Sequence, residues 1–372
     1  MKQRKPYEIL RFPLGKIAMN MNLSVLISPD VSPNTISDAI GWWDNMVKWE
    51  QGIMGLEEYR PSRFNNKLCG ISYAGDGLMS ASDYNTSYVE TSLHDVMSFK
   101  KVMQTSGYCW GPSHEVGHVH QGAINMIGCT EASNNLFSNI VVHNLGKFVT
   151  WGDGVDMMAE YFVNKEPWTM QGIGLKMRMF FQLYLYYHVA GNNPEFYPTL
   201  FKLLREDPLE KKSGGYDNLG RNDLLHFAEK CCEASGEDLT KFFEAWGFFV
   251  PMSRNVIGDY GDWTISSTTR MINQTKEKMA KYTKKAAAIE FIEDRVAYSE
   301  RTDGGEGYKL EYVPGKFGEM GQYTAYYPDS LGITASGYIY SKSGNKISIS
   351  KGKNAVGFKV YDSKGSLVTF AN

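Results

Sequence analysis

The sequence predicts an α+β fold: a small N-terminal β portion, a mostly helical middle and a small all-β module at the C-terminal end. Three observations carry this. Short runs rich in β-branched and aromatic residues, bounded by Pro and Gly, open the chain. From Val89 to about Thr240, apolar residues recur at helical spacing. After about Arg295, glycines punctuate the sequence and short alternating runs replace the helical period. A boundary there divides the chain into 1–295 and 296–372.

In order, Tyr7–Phe12 and Asn22–Ser28 read as strands, and Lys67–Tyr73 as a third. Between them, Thr35 to Gln51 carries Ile36, Ile40, Trp43 and Val47 at helical spacing. After the small residues Gly75, Gly77 and Ser80–Ser82, Asp83 to Tyr88 reads as extended. Helices follow over about 89–105, 112–125, 131–145, 153–164, 172–190, 194–206, 221–234 and 237–246. Pro112 suits a first helical turn, and Ser235 with Asp238 reads as a capping pair for the last helix. Residues 265–290 read as one more helix, whose lysines at 276, 278, 281, 284 and 285 make a solvated face. The C-terminal runs Tyr323–Tyr327, Gly337–Tyr340, Lys346–Ser350, Val356–Tyr361 and Ser366–Phe370 read as strands of a small sandwich.

Composition removes several function classes. Lys plus Arg number 39 against 41 Asp plus Glu, a formal net charge of -2 in 372 residues, which argues against a nucleic-acid binder. Charges interrupt every apolar run before about 18 residues, so no transmembrane helix is expected. Five cysteines, Cys69, Cys109, Cys129, Cys231 and Cys232, are too few and too irregular for a disulfide framework. No nucleophile elbow, phosphate loop or dinucleotide fingerprint occurs.

The chemistry is concentrated in Gly111-Pro-Ser-His114-Glu115-Val-Gly-His118-Val-His120-Gln121. Residues four apart share a helix face, so His114 and His118 can bind one zinc ion. Glu115, one position round from the first ligand, is placed to act as general base on a water. Three fixed positions at these residue frequencies would match by chance in roughly one chain in a hundred, so the motif is informative. A hydrolytic zinc site needs a third protein ligand. Gly122 and Gly128 let the chain turn back, which would bring Glu131 near the histidines on the next helix. His120 is a rival but faces about 200° away from His118, and Glu160 would fit a longer spacer. A histidine six residues after His118 is excluded, because position 124 is Ile. His188, or a neighbouring tyrosine in its aromatic helix, could stabilise an oxyanion. Trp110 and Tyr108 can stack on a sugar if they reach the cleft rim, or else pack in the core.

At His114-Glu115-Val-Gly-His118-Val-His120-Gln121 and Thr130-Glu131-Ala-Ser-Asn-Asn135-Leu-Phe-Ser138, the chain resembles the M60-like (enhancin-like) zinc metallopeptidases. Gly77–Tyr84 resembles the extended segment upstream of that family's metal helix, and Leu239–Gly247 its closing helix. The resemblance covers about residues 20–255. It implies a gluzincin-like catalytic domain with zinc held by His114, His118 and Glu131, and with Glu115 as base. It implies an edge strand over about Leu78–Tyr88, where Ser82, Tyr84 and Trp110 would contact an extended substrate. It further implies extracellular or cell-surface proteolysis of O-glycosylated, mucin-like proteins; a monomer is expected, and the charge balance already argues against nucleic-acid partners. Two readings compete: a zinc-containing glycoprotein-binding protein that no longer cleaves, and a cytoplasmic aminopeptidase. The intact Glu115 speaks against the first. The second lacks a recognisable amine-anchoring motif.

Overall fold

Alternating strand residues at the start of the chain build a mixed five-stranded sheet. β1 (Tyr7–Arg11) pairs antiparallel with β2 (Ile17–Asn22), and β2 runs parallel to β3 (Leu68–Tyr73). β3 runs parallel to β5 (Asn85–Val89), against which β4 (Met79–Ala81) folds back antiparallel, giving the order β1-β2-β3-β5-β4. Parallel neighbours require a crossover, and α1 (Pro33–Ile53) lies between β2 and β3 in the chain. This computed structural model describes residues 7–11, 17–22, 33–56, 68–73, 77–82, 85–104, 107–145, 166–189, 193–210, 217–218, 222–285, 339–344, 346–350, 358–361, 363–364 and 367–371. The chain divides into two compact units. The first comprises Met1–Thr150, Tyr197–Leu209 and Tyr298–Tyr323, and the second Trp151–Phe196, Glu210–Ala297 and Thr324–Asn372.

In the first unit α1 is buried along Trp42, Trp43, Met46 and Val47. Both indole N–H groups donate to the carbonyl of Val96, at 3.2 and 3.3 Å. That carbonyl closes α2 (Glu90–Val96), so two tryptophans satisfy a group that a helix end leaves unpaired. The chain continues through α3 (Phe99–Gln104), α4 (Gly107–His120), a 3₁₀ turn (Gln121–Ala123), α5 (Thr130–Ser133) and α6 (Asn135–Asn144). Gly128, at φ +75°, supplies the left-handed backbone that returns the chain from α4 to α5. Phe201, from the later helix α8 (Phe196–Glu206), lies 6.1 Å from Phe137, ring centre to ring centre.

The second unit is built on aromatic packing. Trp168, Phe180, Phe227, Phe243, Trp246 and Phe248 are all buried. They come from a 3₁₀ turn (Trp168–Met170), α7 (Ile173–Tyr184), α9 (Asp223–Ser235), α10 (Thr240–Ala245) and the turn after it. The side chain of Asn222 caps α9 by accepting from the backbone N–H groups of Leu224 and Leu225, and Gly236 ends it at φ +70°. β8 (Met252–Gly258) and β9 (Asp262–Ser267) form a hairpin that extends to β6 (Asp217–Asn218), and α11 spans Thr269–Met279. β7 (Glu237–Asp238) pairs with β10 (Lys284–Lys285). Near the C-terminus, β11 (Ile339–Ser343) pairs with β12 (Lys346–Ser350), and β13 (Phe358–Tyr361) with β14 (Leu367–Ala371), as two antiparallel hairpins. Among the described residues, no helix is long and apolar enough to cross a membrane.

The α+β expectation holds, with corrections in detail. The second strand lies earlier, at Ile17–Asn22, and residues 23–28 fall outside the described set. The predicted helix over 89–105 is broken between α2 and α3. The metal-motif helix starts at Gly107, which puts Pro112 inside it rather than in its first turn. The segment 265–290 is strand, helix and strand in turn. Ser235 does not cap the next helix: its Oγ donates to the Cys231 carbonyl, while Asp238 accepts from Thr240 N. The predicted helix 153–164 and strand Tyr323–Tyr327 lie outside the described residues.

Candidate metal centre

The face of α4 that carries the four-residue spacing turns toward α5. His114 and His118 project side by side, with ring centres 4.7 Å apart and Nε2 atoms 3.2 Å apart. Glu131, in the first turn of α5, brings Oε2 to 3.1 Å from His114 Nε2 and 3.5 Å from His118 Nε2. At zinc–ligand bonds of about 2.0–2.1 Å, a tetrahedral ion sets its ligand atoms about 3.3–3.4 Å apart. The three separations bracket that edge length, so the donor set fits one tetrahedral ion with a fourth position left over. Among the described residues, these three form the one cluster of His, Cys, Asp or Glu able to hold a metal. Their side chains keep 18–29% exposure, enough for water and a substrate to reach them.

Neighbouring side chains fix the rings. His114 Nδ1 lies 2.8 Å from Asn135 Oδ1 and 3.0 Å from Asn134 Nδ2; with Nδ1 protonated it donates to Asn135, and Nε2 keeps its lone pair for a metal. Asn135 Nδ2 in turn donates to the Glu131 carbonyl at 2.8 Å, which joins one ligand's partner to the other ligand's backbone. His118 Nδ1 lies 2.8 Å from Gln121 Nε2, and Ser133 Oγ donates to Gln121 Oε1. Metal binding through His118 Nε2 requires Nδ1 to carry the proton, and so requires the amide oxygen of Gln121 to face it. The Asn134 amide nitrogen stands 3.3 Å from the His114 carbonyl and 3.1 Å from His118 Nε2, and its Oδ1 is buried without a hydrogen-bond partner.

The helices approach closely because position 117 has no side chain. A Cβ there would stand 2.6 Å from the Asn134 carbonyl oxygen. On another side of α4, a Cβ at Gly111 would stand 2.9 Å from Met79 Sδ, so the helix lies directly against β4. β4 is the terminal strand of the sheet.

Glu115 is buried beside the pair. Burial pushes its carboxyl above the usual range, the His114 and His118 charges pull it down, and Glu131 pushes it up, for a net upward shift. For His114, burial lowers the pKa, but the hydrogen bonds to Glu131 and Asn135 and the charges of Glu115 and Glu131 outweigh it, so the net shift is upward. A metal at this site must therefore compete with a proton on His114.

Of the residues singled out in the sequence, His114, Glu115, His118 and Glu131 come together. Trp110 does not join them as an exposed platform: it is buried in α4 itself, one turn before His114. Ser82 is exposed, with Oγ 2.7 Å from Asn85 Oδ1. Tyr84 and Glu160 lie outside the described residues. The extended segment Leu78–Tyr88 is not one edge strand but a hairpin, and only β4 forms the edge. His120 turns away from the ligands and bonds Glu50. The orienting parts of Asn135, Gln121 and Ser133 had no signal beyond their presence in the motif. Glu50 had none at all.

A family model for the M60 peptidases, enhancin and enhancin-like, matches residues 18–247, and one for the M60 peptidase C-terminal domain matches residues 337–372. A metallopeptidase solved in complex with Tn antigen is similar at 34% identity and TM-score 0.79, over 99% of this chain and 67% of that one. A metallopeptidase from Bacteroides thetaiotaomicron is similar at 34% identity and TM-score 0.78, over 99% of this chain. This chain spans 61% of the length of the latter. The M60 catalytic domain of Clostridium perfringens ZmpC, solved with sialyl T antigen, shares the fold at 14% identity and TM-score 0.59, over 96% of this chain and 61% of that one. No curated protein matches the chain.

Proposed function

Because the chain belongs to the M60 peptidase family, enhancin and enhancin-like, we propose that it is a zinc-dependent endopeptidase of the gluzincin type, cleaving peptide bonds in O-glycosylated, mucin-like proteins. The observation that carries the chemistry is the convergence of His114 Nε2, His118 Nε2 and Glu131 Oε2, with Glu115 next along the helix. The similarity at 34% identity to a metallopeptidase in complex with Tn antigen supports the substrate class.

His114, His118 and Glu131 hold the ion. When bound, zinc supplies Lewis acidity, polarising the scissile carbonyl and bringing the pKa of water toward about 7. Glu115 takes the proton of the attacking water and returns it to the leaving amine. One helix position from His114, its carboxylate is placed to serve both halves of that exchange. β4 offers main-chain groups to an extended peptide, with Ser82 at its end and Tyr84 beyond it as substrate contacts. The catalytic domain is assigned to residues 1–295 and an accessory β module to residues 296–372. The match of the M60 C-terminal model over residues 337–372 supports the latter. The enzyme acts as a monomer, outside the cell or at its surface, on glycoproteins rather than nucleic acids.

The test is digestion of a mucin-type O-glycopeptide and of the same peptide without sugar, each with and without a chelator. Cleavage of the glycosylated form alone, abolished by the chelator, is expected. Zinc binding without cleavage of either peptide would replace this reading with a glycoprotein-binding one.

A further inference from the structure

We propose that Glu50 is a positioning residue for the metal centre, setting the rotation and height of α4 from the helix face away from the ligands. This rests on the reading of His114, His118 and Glu131 as metal ligands.

Glu50 belongs to α1 and is fully buried. Its two carboxylate oxygens each take one donor from α4: Ser113 Oγ donates to Oε1 at 2.7 Å, and His120 Nδ1 meets Oε2 at 2.8 Å. Ser113 immediately precedes the first ligand, and His120 follows the second by two positions. Seven residues are 700° of helix, about 20° short of two full turns, so the two donors share one face. The ligands lie about 100–140° round from it. One carboxylate thus holds the ligand-bearing stretch at both ends without touching a ligand.

Two further features make this tether consequential. Pro112 has no N–H to offer the Tyr108 carbonyl, so α4 lacks a rung just before Ser113 and the ligand segment is less restrained by its own helix. A rotation of about 10° about the axis would also swing an imidazole Nε2, about 6–7 Å out, by roughly 1 Å, against a metal-bond tolerance of about 0.2 Å. Burial raises the Glu50 carboxyl, and the His120 and Ser113 bonds draw it back only in part. A buried carboxylate with this desolvation cost is a poor choice for stability alone, where an apolar side chain of similar size would do as well or better.

The experiment compares wild type, Glu50→Met, Glu50→Gln and Ser113→Ala. Cobalt(II) serves as the probe, with affinity read by chelator competition and geometry by the visible ligand-field bands, alongside thermal midpoints. Glu50→Met keeps the bulk and removes both acceptors; we expect cobalt affinity to fall about 10–100-fold and the bands to shift. Glu50→Gln keeps one acceptor, so it should recover most of that loss, and Ser113→Ala should weaken binding a few-fold in the same direction. If Glu50→Met lowers the midpoint but binds cobalt with wild-type affinity and spectrum, Glu50 is structural only and the proposal is overturned. If Glu50→Met does not fold, Ser113→Ala decides, and unchanged cobalt affinity there overturns it. A wild-type protein that binds no cobalt would instead remove the metal-centre reading on which the proposal stands.

Discussion

The carbonyl oxygen of Asn134 stands 2.6 Å from the point a Cβ on Gly117 would occupy. The helix that carries both histidines therefore meets the segment that carries Glu131 with no room for a methyl group. Real Cβ atoms do not approach backbone oxygen so closely, and a carbonyl within a helical segment cannot swing aside as a flexible side chain can. Gly117→Ala should separate the two segments, cost about 1–3 kcal/mol of stability and weaken zinc binding at least about tenfold. Gly111→Ala is the control: there the obstacle is the far end of Met79, which can rotate away. Metal titration of both variants checks this, and equal affinity in the two would count against the close-approach argument.

Glu115→Gln should retain the metal and lose hydrolysis. The amide keeps the shape but cannot accept the water proton, and loss of general-base catalysis lowers rates by about 10²–10⁴-fold. Zinc content and turnover of an O-glycopeptide, measured on one preparation, separate the two effects. A variant that still cleaved at near wild-type rate would exclude Glu115 as the base.

Asn135→Leu removes the acceptor that holds His114 Nδ1. The ring would then be free to turn and to take the other tautomer, so metal affinity should fall about 10–100-fold. Gln121→Leu should act likewise through His118. Each variant is read by chelator competition, and wild-type affinity in both would show that packing alone orients the rings.

His188 lies in a π-helical turn, Leu185–Val189, stacked on Tyr184 at 5.3 Å, and burial lowers its pKa to about 4. Its folded pKa is thus below the unfolded value, so the unfolded chain takes up a proton first as the pH falls. The stability associated with neutral His188 is full above about pH 6.5 and is lost as pH falls toward 4. His188→Phe keeps an aromatic ring and removes the titration. Between pH 7 and pH 5 the wild type should lose about 2 kcal/mol more than the variant. Denaturant unfolding at the two pH values, on metal-free protein, gives the difference directly, and parallel losses would exclude the effect.

The metal-binding motif was legible because its chemistry is written in local spacing. Four residues on a helix define one face wherever that helix ends up, and the glycine at 128 announces the return. The start of α4 was misread because Pro112 is a common first-turn residue. Its tolerance five residues into a helix depends on tertiary packing, which no local rule encodes. The single edge strand over Leu78–Tyr88 failed for a similar reason: two extended runs close in sequence look alike whether they continue or fold back. Trp110 shows the limit of composition, since an aromatic beside a motif carries no sign of whether it faces solvent or core. Glu50 was invisible. Its partners lie 63 and 70 residues away, and a lone acid in an amphipathic helix reads as surface.

That separation in sequence also divides the centre by the order in which a folding chain can assemble it. The ligands and the side chains that orient them all fall within residues 114–135, a short loop with a small closure entropy. The Glu50 bonds close loops several times longer. Closure entropy alone, by about 1 kcal/mol, therefore favours bringing the three ligands together before α1 docks. Metal supplied during refolding would then act as an early local crosslink, and the buried carboxylate as the late step that fixes its geometry.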